Sequence, residues 1–253
     1  DAAMLMQAVA CCDPRDPRTR HDAPPDYLAE LDAGIAGLRV AWSADLGRVV
    51  PDEPAIVDMC HEAAQVFRKF GVTYSEPSFR FEDPHDELEI DGDYAKWKMA
   101  ALSREIMPGM LDPISWAMSQ PREDYAKVSI YIRDRTDRPT MLDYALSIDP
   151  QVRRRKRTHI DDFFREHDLL LCPVIARTAF KCGTENVTPF QYTAYTFITN
   201  VAGYCGASVP IGFHQGMPVG LQIIGRPGEE HLLLRAARMF ERERPWAHWR
   251  PER

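Results

Sequence analysis

Two short apolar runs do most to limit what this chain can fold into. Leu169-Leu170-Leu171-Cys172 follows Asp168 and is cut off by Pro173. Val219-Gly220-Leu221-Gln222-Ile223-Ile224 is closed by Gly225-Arg226-Pro227-Gly228. Both are too short for a usual helix and apolar almost throughout, which fits strands buried on both faces of a sheet. Such a sheet needs helices packed over it. The second run is followed by one: Glu229 and Glu230 favour a helix N-terminus, Leu233, Ala236, Ala237 and Phe240 form a buried stripe, and the pattern ends near Arg244.

The front of the chain repeats the theme. Between Gly37 and Gly47, Leu38, Val40 and Trp42 alternate with Arg39, Ala41 and Ser43, the period of a strand. Asp52 is placed to cap a helix, Pro54 suits its first turn, and Ile56, Cys60, Ala63, Phe67 and Phe70 line one face before Gly71 stops it. Val72 to Ser75 reads as a further short strand. Strand, helix, strand with short connections signals a βαβ unit, so the expected fold class is α/β. No repeat and no low-complexity linker divides the chain, and residues 1–253 are expected to form a single domain.

Roughly residues 86–148 read as mostly helical, broken by Pro108, Pro113, Pro121 and Pro139. The acidic patch of Glu82, Asp83, Asp86, Glu87, Glu89, Asp91 and Asp93 lacks the order of an EF-hand loop and reads as a solvated turn. A long helix then runs to about His167 and carries Arg153-Arg154-Arg155-Lys156-Arg157. Consecutive basic residues at about 100° per residue point all round a helix. They form no single binding stripe, and their stems cover neighbouring apolar surface.

Charge and cysteine content narrow the function classes. With 31 Lys+Arg against 38 Asp+Glu, a net charge of −7, the chain is not built as a general nucleic-acid binder. No apolar run approaches the ~20 residues of a membrane span. Six cysteines are too few for a disulfide scaffold. Cys60, Cys172 and Cys205 sit in apolar stretches and Cys11-Cys12 is a vicinal pair, so reduced thiols in a cytoplasmic protein are expected. The chain starts at Asp1 rather than Met, and Ala2 to Cys12 lacks the basic region of a secretory signal. That segment reads as a helix entered part-way through a protein, too densely apolar for a surface helix and expected to be buried against something.

No self-contained catalytic set is legible. His61-Glu62-Ala63-Ala64-Gln65 opens like a zincin helix but has Gln65 where the second zinc ligand must stand. His21, His85, His159, His167, His214, His231 and His248 show no ligand spacing, so no metal is expected. Gly206-Ala207-Ser208-Val209-Pro210 falls short of a nucleophile elbow because Pro210 stands where a tight turn needs glycine. There is no P-loop and no G-x-G-x-x-G, and no cofactor is expected.

The last third nonetheless resembles a known family. Asp168-Leu169-Leu170-Leu171-Cys172-Pro173 is similar to the "YDLLLTPT" strand and loop of amidase signature enzymes. Asn200 to Phe213, N-V-A-G-Y-C-G-A-S-V-P-I-G-F, resembles their "N-L-T-G-x-P-A-x-S-V-P-x-G", and Pro218 to Arg226 resembles "P-V-G-L-Q-I-V-G". At the front, Asp1-Ala2-Ala3 with Asp13-Pro14-Arg15-Asp16-Pro17 is similar to "D-A-A-L…G-x-D-P-x-D-P", and Leu38 to Gly47 to "L-R-I-G-Y-S-x-D-L-G". The likeness is collinear along nearly the whole chain and weak between about residues 80 and 145. Cys205 replaces the family's usual proline and Ala202 its threonine.

The resemblance implies the C-terminal part of an α/β/α sandwich, with a mixed β-sheet covered by helices. It implies hydrolysis of a carboxamide C–N bond, to carboxylate and ammonia or amine, by a Ser–Ser–Lys triad. The triad belongs to a signature region upstream of the Asp-Ala-Ala helix, so no catalytic residue is expected in these positions and the chain alone is expected to be inactive. The implied partners are the N-terminal half of the same enzyme and a small-molecule amide; no nucleic acid or membrane is expected, and a homodimer stays open. Pocket-lining loops would be Pro173 to Ala176, Phe190 to Tyr195 and Asn200 to Tyr204. Phe190, Tyr192 and Tyr195 either wall an apolar acyl site or pack the core, and Asn200 either holds a pocket loop or satisfies a turn. Gly203 and Tyr204 complete the substrate-binding set. Two alternatives remain. One is the family's glutamine-dependent amidotransferase subunit, against which counts the absence of any carboxylate from Phe190 to Thr199; the other is a non-catalytic amidase-derived scaffold.

Overall fold

A computed structural model describes residues 1–13, 22–47, 49–81, 160–181, 194–196, 199 and 203–249. The expected helical middle, its acidic patch and the Arg153–Arg157 run lie outside these residues, as do Phe190, Tyr192 and Asn200. The chain divides into two compact units, Asp1–Arg80 with Asp161–Arg253, and Phe81–Ile160. The first unit holds all the described strands.

Five strands form one mixed sheet in the order β2-β1-β3-β5-β4. They are β1 (Arg39–Trp42), β2 (Thr73–Ser75), β3 (Leu169–Pro173), β4 (Cys205–His214) and β5 (Met217–Gly225). The helices are α1 (Ala2–Val9), α2 (Pro54–Gln65), continued by a 3-10 turn Val66–Phe70, and α3 (Glu230–Glu243). β1 runs parallel to β2 and β3, with Val40 opposite Leu169, while β5 is antiparallel to both β3 and β4. The two apolar runs are thus neighbours at the centre, where Leu171 faces Ile223 and all five residues of β3 are buried. Full burial of Leu169, Leu170 and Leu171 contributes roughly 2 kcal/mol each.

The βαβ reading holds: β1, α2 and β2 follow in order, and β1 and β2 are parallel. Ile56, Cys60, Ala63, Phe67 and Phe70 are all buried, and Phe67 stacks on Phe240 of α3 with ring centroids 5.8 Å apart. Gly71 closes the segment at φ 72°, the left-handed conformation glycine adopts without cost. Two local expectations change, and one unassigned stretch finds its place. Val40, Ala41 and Trp42 are buried in succession, because β1 is an interior strand covered on both faces and not a half-exposed one. The N-cap of α2 is Glu53, one residue after Asp52. Gly206 to Pro210, weighed in the sequence only against a nucleophile elbow and assigned to no element, lies inside β4.

β4 forms despite its glycines and proline because β5 is its template and it sits at the sheet edge, where a missing N–H is tolerated. Gln215 (φ 50°) and Gly216 (φ 77°) make the two-residue hairpin between them, the positive-φ pair that matches strand twist. α1 departs from expectation too. Only Ala3 is buried, whereas Met4, Leu5 and Val9 are 61%, 64% and 58% exposed. Gln7 ties it back by accepting the Tyr27 N–H at 2.8 Å.

The elements meet at Asp168. Its Oδ2 accepts Arg39 N (2.8 Å) and Nε (3.1 Å), and its Oδ1 accepts Arg39 Nη2 (2.8 Å) and Arg226 Nη2 (3.2 Å). Arg39 also donates to the Arg165 carbonyl at 2.8 Å, and Arg226 to the carbonyls of Phe164 and His167. One carboxylate thereby joins β1, β3, the end of β5 and the helical residues 161–166. Hydrogen bonds from Arg39 hold its carboxyl down at about 2, against an ordinary 3.8. Since the folded value is the lower one, the stabilisation is complete above about pH 5 and is lost as pH falls from about 4 through about 2.

Asp168→Asn should therefore lower unfolding stability at pH 7 by about 1–2 kcal/mol, a figure discounted for the exposure of Arg39. Urea titrations at pH 7 and pH 3 should show the gap to wild type narrowing at the lower pH; an unchanged gap would remove Asp168 from this role. A second expectation concerns Gly47. A side chain there would come within 2.5 Å of Arg80 Cα and closer still to the Phe79 carbonyl, at a φ of 74°. Gly47→Ala should cost about 2–4 kcal/mol, read as a lower urea midpoint at unchanged slope.

Candidate functional site

In open α/β sheets ligands bind beyond the carboxyl ends of the parallel strands. Here that end gathers the residues after β1 and β3, the start of α2 and the β4–β5 turn. After β1, Ser43 is buried and its Oγ accepts the Leu46 N–H at 2.9 Å, closing a tight turn in which Leu46 (φ 55°) and Gly47 (φ 74°) are left-handed. Asp45 Oδ1 caps the Gly47 N–H at 2.7 Å. Tyr195 hooks onto this turn by donating its hydroxyl to the Ala44 carbonyl at 2.7 Å. Its own carbonyl accepts Gln222 Nε2 (3.3 Å), whose amide also reaches Cys172 Sγ (3.4 Å). Burial pushes the Tyr195 hydroxyl and the Cys172 thiol upward and the Cys60 thiol to about 12, so all three stay protonated near neutrality.

Glu53 organises the neighbouring loop. Its N–H donates to the Ala176 carbonyl (2.9 Å), while its Oε1 accepts the Thr178 N–H (2.6 Å) and hydroxyl (2.9 Å). Those Thr178 amide and hydroxyl bonds hold the carboxyl below the usual range in spite of partial burial. His214 Nε2 lies 3.3 Å from Glu53 Oε2, and Arg177 Nη1 lies 3.4 Å from Asp52 Oδ2. The loop Pro173 to Ala176, expected as pocket lining, is thus clamped to the start of α2, and Ala176 is buried.

The other described members of the substrate-binding set lie elsewhere. Tyr204 is buried, stacks on Phe164 at 4.9 Å and donates its hydroxyl to Asp161 Oδ1. It immediately precedes Cys205, which pairs with Gly225 near the amino end of β3, so Tyr195 and Tyr204 stand at opposite ends of the sheet. Gly203, beside Tyr204, has φ 71° and is exposed. Ser208 is exposed in mid-strand on β4, with no turn to project it. Among the described residues no three His, Cys, Asp or Glu side chains group to hold a metal ion, and no helix is long and apolar enough to cross a membrane. Sequence reasoning missed the Glu53, Arg177, Thr178 and His214 grouping. Asp52-Glu53-Pro54 marks a helix start, but nothing in the spacing says that Glu53 turns away from its own helix to a loop 125 residues on.

Comparison with known proteins settles the family. A family profile described as Amidase matches residues 1–234. The chain belongs to the amidase family. It is 31% identical over 263 residues to a glutamyl-tRNA(Gln) amidotransferase subunit of Lacticaseibacillus casei, covering 95% of this chain and 52% of that protein. The corresponding subunit of Moorella thermoacetica is 30% identical over 274 residues, covering 100% and 54%. Among solved structures, a bacterial aryl acylamidase of the amidase signature family superposes with a TM-score of 0.74 at 23% identity, covering 97% of this chain and 51% of that one. A 6-aminohexanoate cyclic dimer hydrolase gives 0.75 at 23%, covering 99% and 54%. The mixed α/β fold is therefore that of amidase signature enzymes, and this amidase-family chain spans about half the length of the relatives it matches.

Replacing Glu53 by Ala should release the loop after β3. The Thr178 amide should exchange faster with solvent deuterium, and stability should fall by about 1–2 kcal/mol. Unchanged exchange at Thr178 would show that the loop is held by other contacts.

Proposed function

We propose that this chain is the C-terminal portion of a single amidase signature domain that hydrolyses the C–N bond of a small carboxamide in the cytoplasm. The observation carrying this reading is the family match over residues 1–234, together with the half-length coverage of every relative compared. The Ser–Ser–Lys triad would come from an N-terminal half. This chain would contribute sheet strands, covering helices and the wall built by Tyr195 and the Glu53-clamped loop, with Phe190, Tyr192 and Asn200 as further substrate-binding residues; Gly203 and Tyr204, at the other end of the sheet, drop out of that set. The exposed Met4, Leu5 and Val9 of α1 would be the apolar face on which that half docks.

A glutamine-dependent amidotransferase subunit is the second reading, favoured by the names of the relatives from Lacticaseibacillus casei and Moorella thermoacetica. The missing carboxylate ahead of Asn200 counts against it. In-frame sequence upstream of Asp1 separates both from a non-catalytic scaffold: a Ser–Ser–Lys signature supports an enzyme and its absence the scaffold. Glutaminase activity stimulated by charged tRNA would favour the amidotransferase.

The purified chain should release no ammonia from a panel of aliphatic, aryl and peptide amides, and measurable turnover by pure protein would overturn the division of labour proposed. It should bind a hydrophobic dye more strongly than a compact monomer does. Met4→Ser with Leu5→Ser should lower that signal, and an unaltered signal would move the docking face away from α1.

A further inference from the structure

The vicinal thiols at Cys11 and Cys12 have no part in the amidase reading, and the structure sets them apart from the other described cysteines. Both are exposed, whereas Cys60 and Cys172 are buried. Cys205 is half-buried and donates its thiol to the Gly225 and Arg226 carbonyls at 3.2 and 2.9 Å. Burial pushes the Cys60 and Cys205 thiols up to about 12, which leaves them poor nucleophiles toward anything arriving from solvent.

Position adds a second distinction. Helix α1 ends at Val9, and Ala10 is already extended at φ −74° and ψ 93°, although its N–H still reaches the Met6 carbonyl at 2.9 Å. Cys11 and Cys12 therefore lie beyond the helix, with no regular structure imposed on them. Inside a helix, consecutive side chains would be held about 100° apart. Outside it, backbone rotation can turn two neighbouring thiols toward one bridging atom.

Donor number decides which atom that is. A structural zinc ion takes about four ligands, two more than the pair itself supplies. A disulfide between neighbours would close a small ring through a trans peptide that resists distortion, and would need an oxidant. Trivalent arsenic carrying one organic group needs only two thiols, and its bridge closes a ring one atom larger.

We propose that Cys11 and Cys12 form a two-thiol capture site for trivalent organoarsenicals. With hydrated phenylarsine oxide, two As–O bonds break and two As–S bonds form. Each thiol proton leaves with a hydroxide as water, and arsenic stays trivalent throughout. Closing the second As–S bond is intramolecular, so the bridged adduct outlasts attack by monothiols by about 100-fold or more.

Intact-mass analysis of the reduced 253-residue chain treated with phenylarsine oxide tests this directly. One phenylarsenic unit should be retained in excess glutathione, with two thiols blocked, and should be stripped by 2,3-dimercaptopropanol. Cys11→Ser and Cys12→Ser should each abolish retention, while Cys182→Ser should leave it intact. Cys11 and Cys12 are exposed, and circular dichroism checks that each variant is folded. The proposal is overturned by loss of the unit to glutathione in wild type, by retention in either the Cys11 or the Cys12 variant, or by loss in Cys182→Ser. Because the readout is a mass and not turnover, failure here leaves the amidase reading standing, and failure of that reading leaves this site standing.

Discussion

The carboxylate of Asp168 is the constraint on which the described structure turns. It stands at the start of the central strand and accepts four hydrogen bonds from Arg39 and Arg226, two residues that belong to opposite sides of that strand. Without it, two guanidinium groups would face each other across a gap in the sheet margin. With it, β1 and β5 are fixed in register against β3 at one end, and helical residues 161–166 are tied in through the carbonyls of Phe164, Arg165 and His167. Charge-assisted bonds of this kind are shorter and stronger than neutral ones, and several converging on one acceptor hold direction as well as distance.

The opposite end of the sheet is organised on another principle. There the chain makes sharp turns, and single polar groups stop them from wandering: Ser43 and Asp45 inside the turn after β1, Tyr195 from outside it, and Glu53 across to Thr178. Each bond joins a side chain to backbone or hydroxyl, and none leaves an activated nucleophile. Buried thiols and a buried phenol in the same region are kept neutral by desolvation. The chemistry of this end is positioning. It holds this end of the sheet as a rigid margin.

Much of the fold was legible because its signals are local. Leu169 to Cys172 reads as a buried strand from its own composition, α2 from the spacing of Ile56, Cys60, Ala63 and Phe67, and its end from Gly71. β4 was not, since glycine and proline lower strand propensity and its pairing depends on β5. The exposure of α1 was not either, because an apolar helix announces that it needs a partner and not where that partner is. Of the candidate site, Tyr195 and Tyr204 were singled out together as substrate-binding residues, and their separation to opposite sheet ends follows only from the antiparallel placement of β5 and β4.

By itself the sequence determined the class of fold, the identity of its central strands and, through ordered motifs, the amidase family. Apolar runs, caps and stops act over a few residues, so they survive translation into a string of letters. Only the tertiary structure decided that Arg39 and Arg226 share Asp168, that Glu53 leaves its helix to hold Thr178, and which of the described cysteines face solvent. Those facts join residues up to 129 positions apart, and they depend on sheet order, which short-range pattern does not encode.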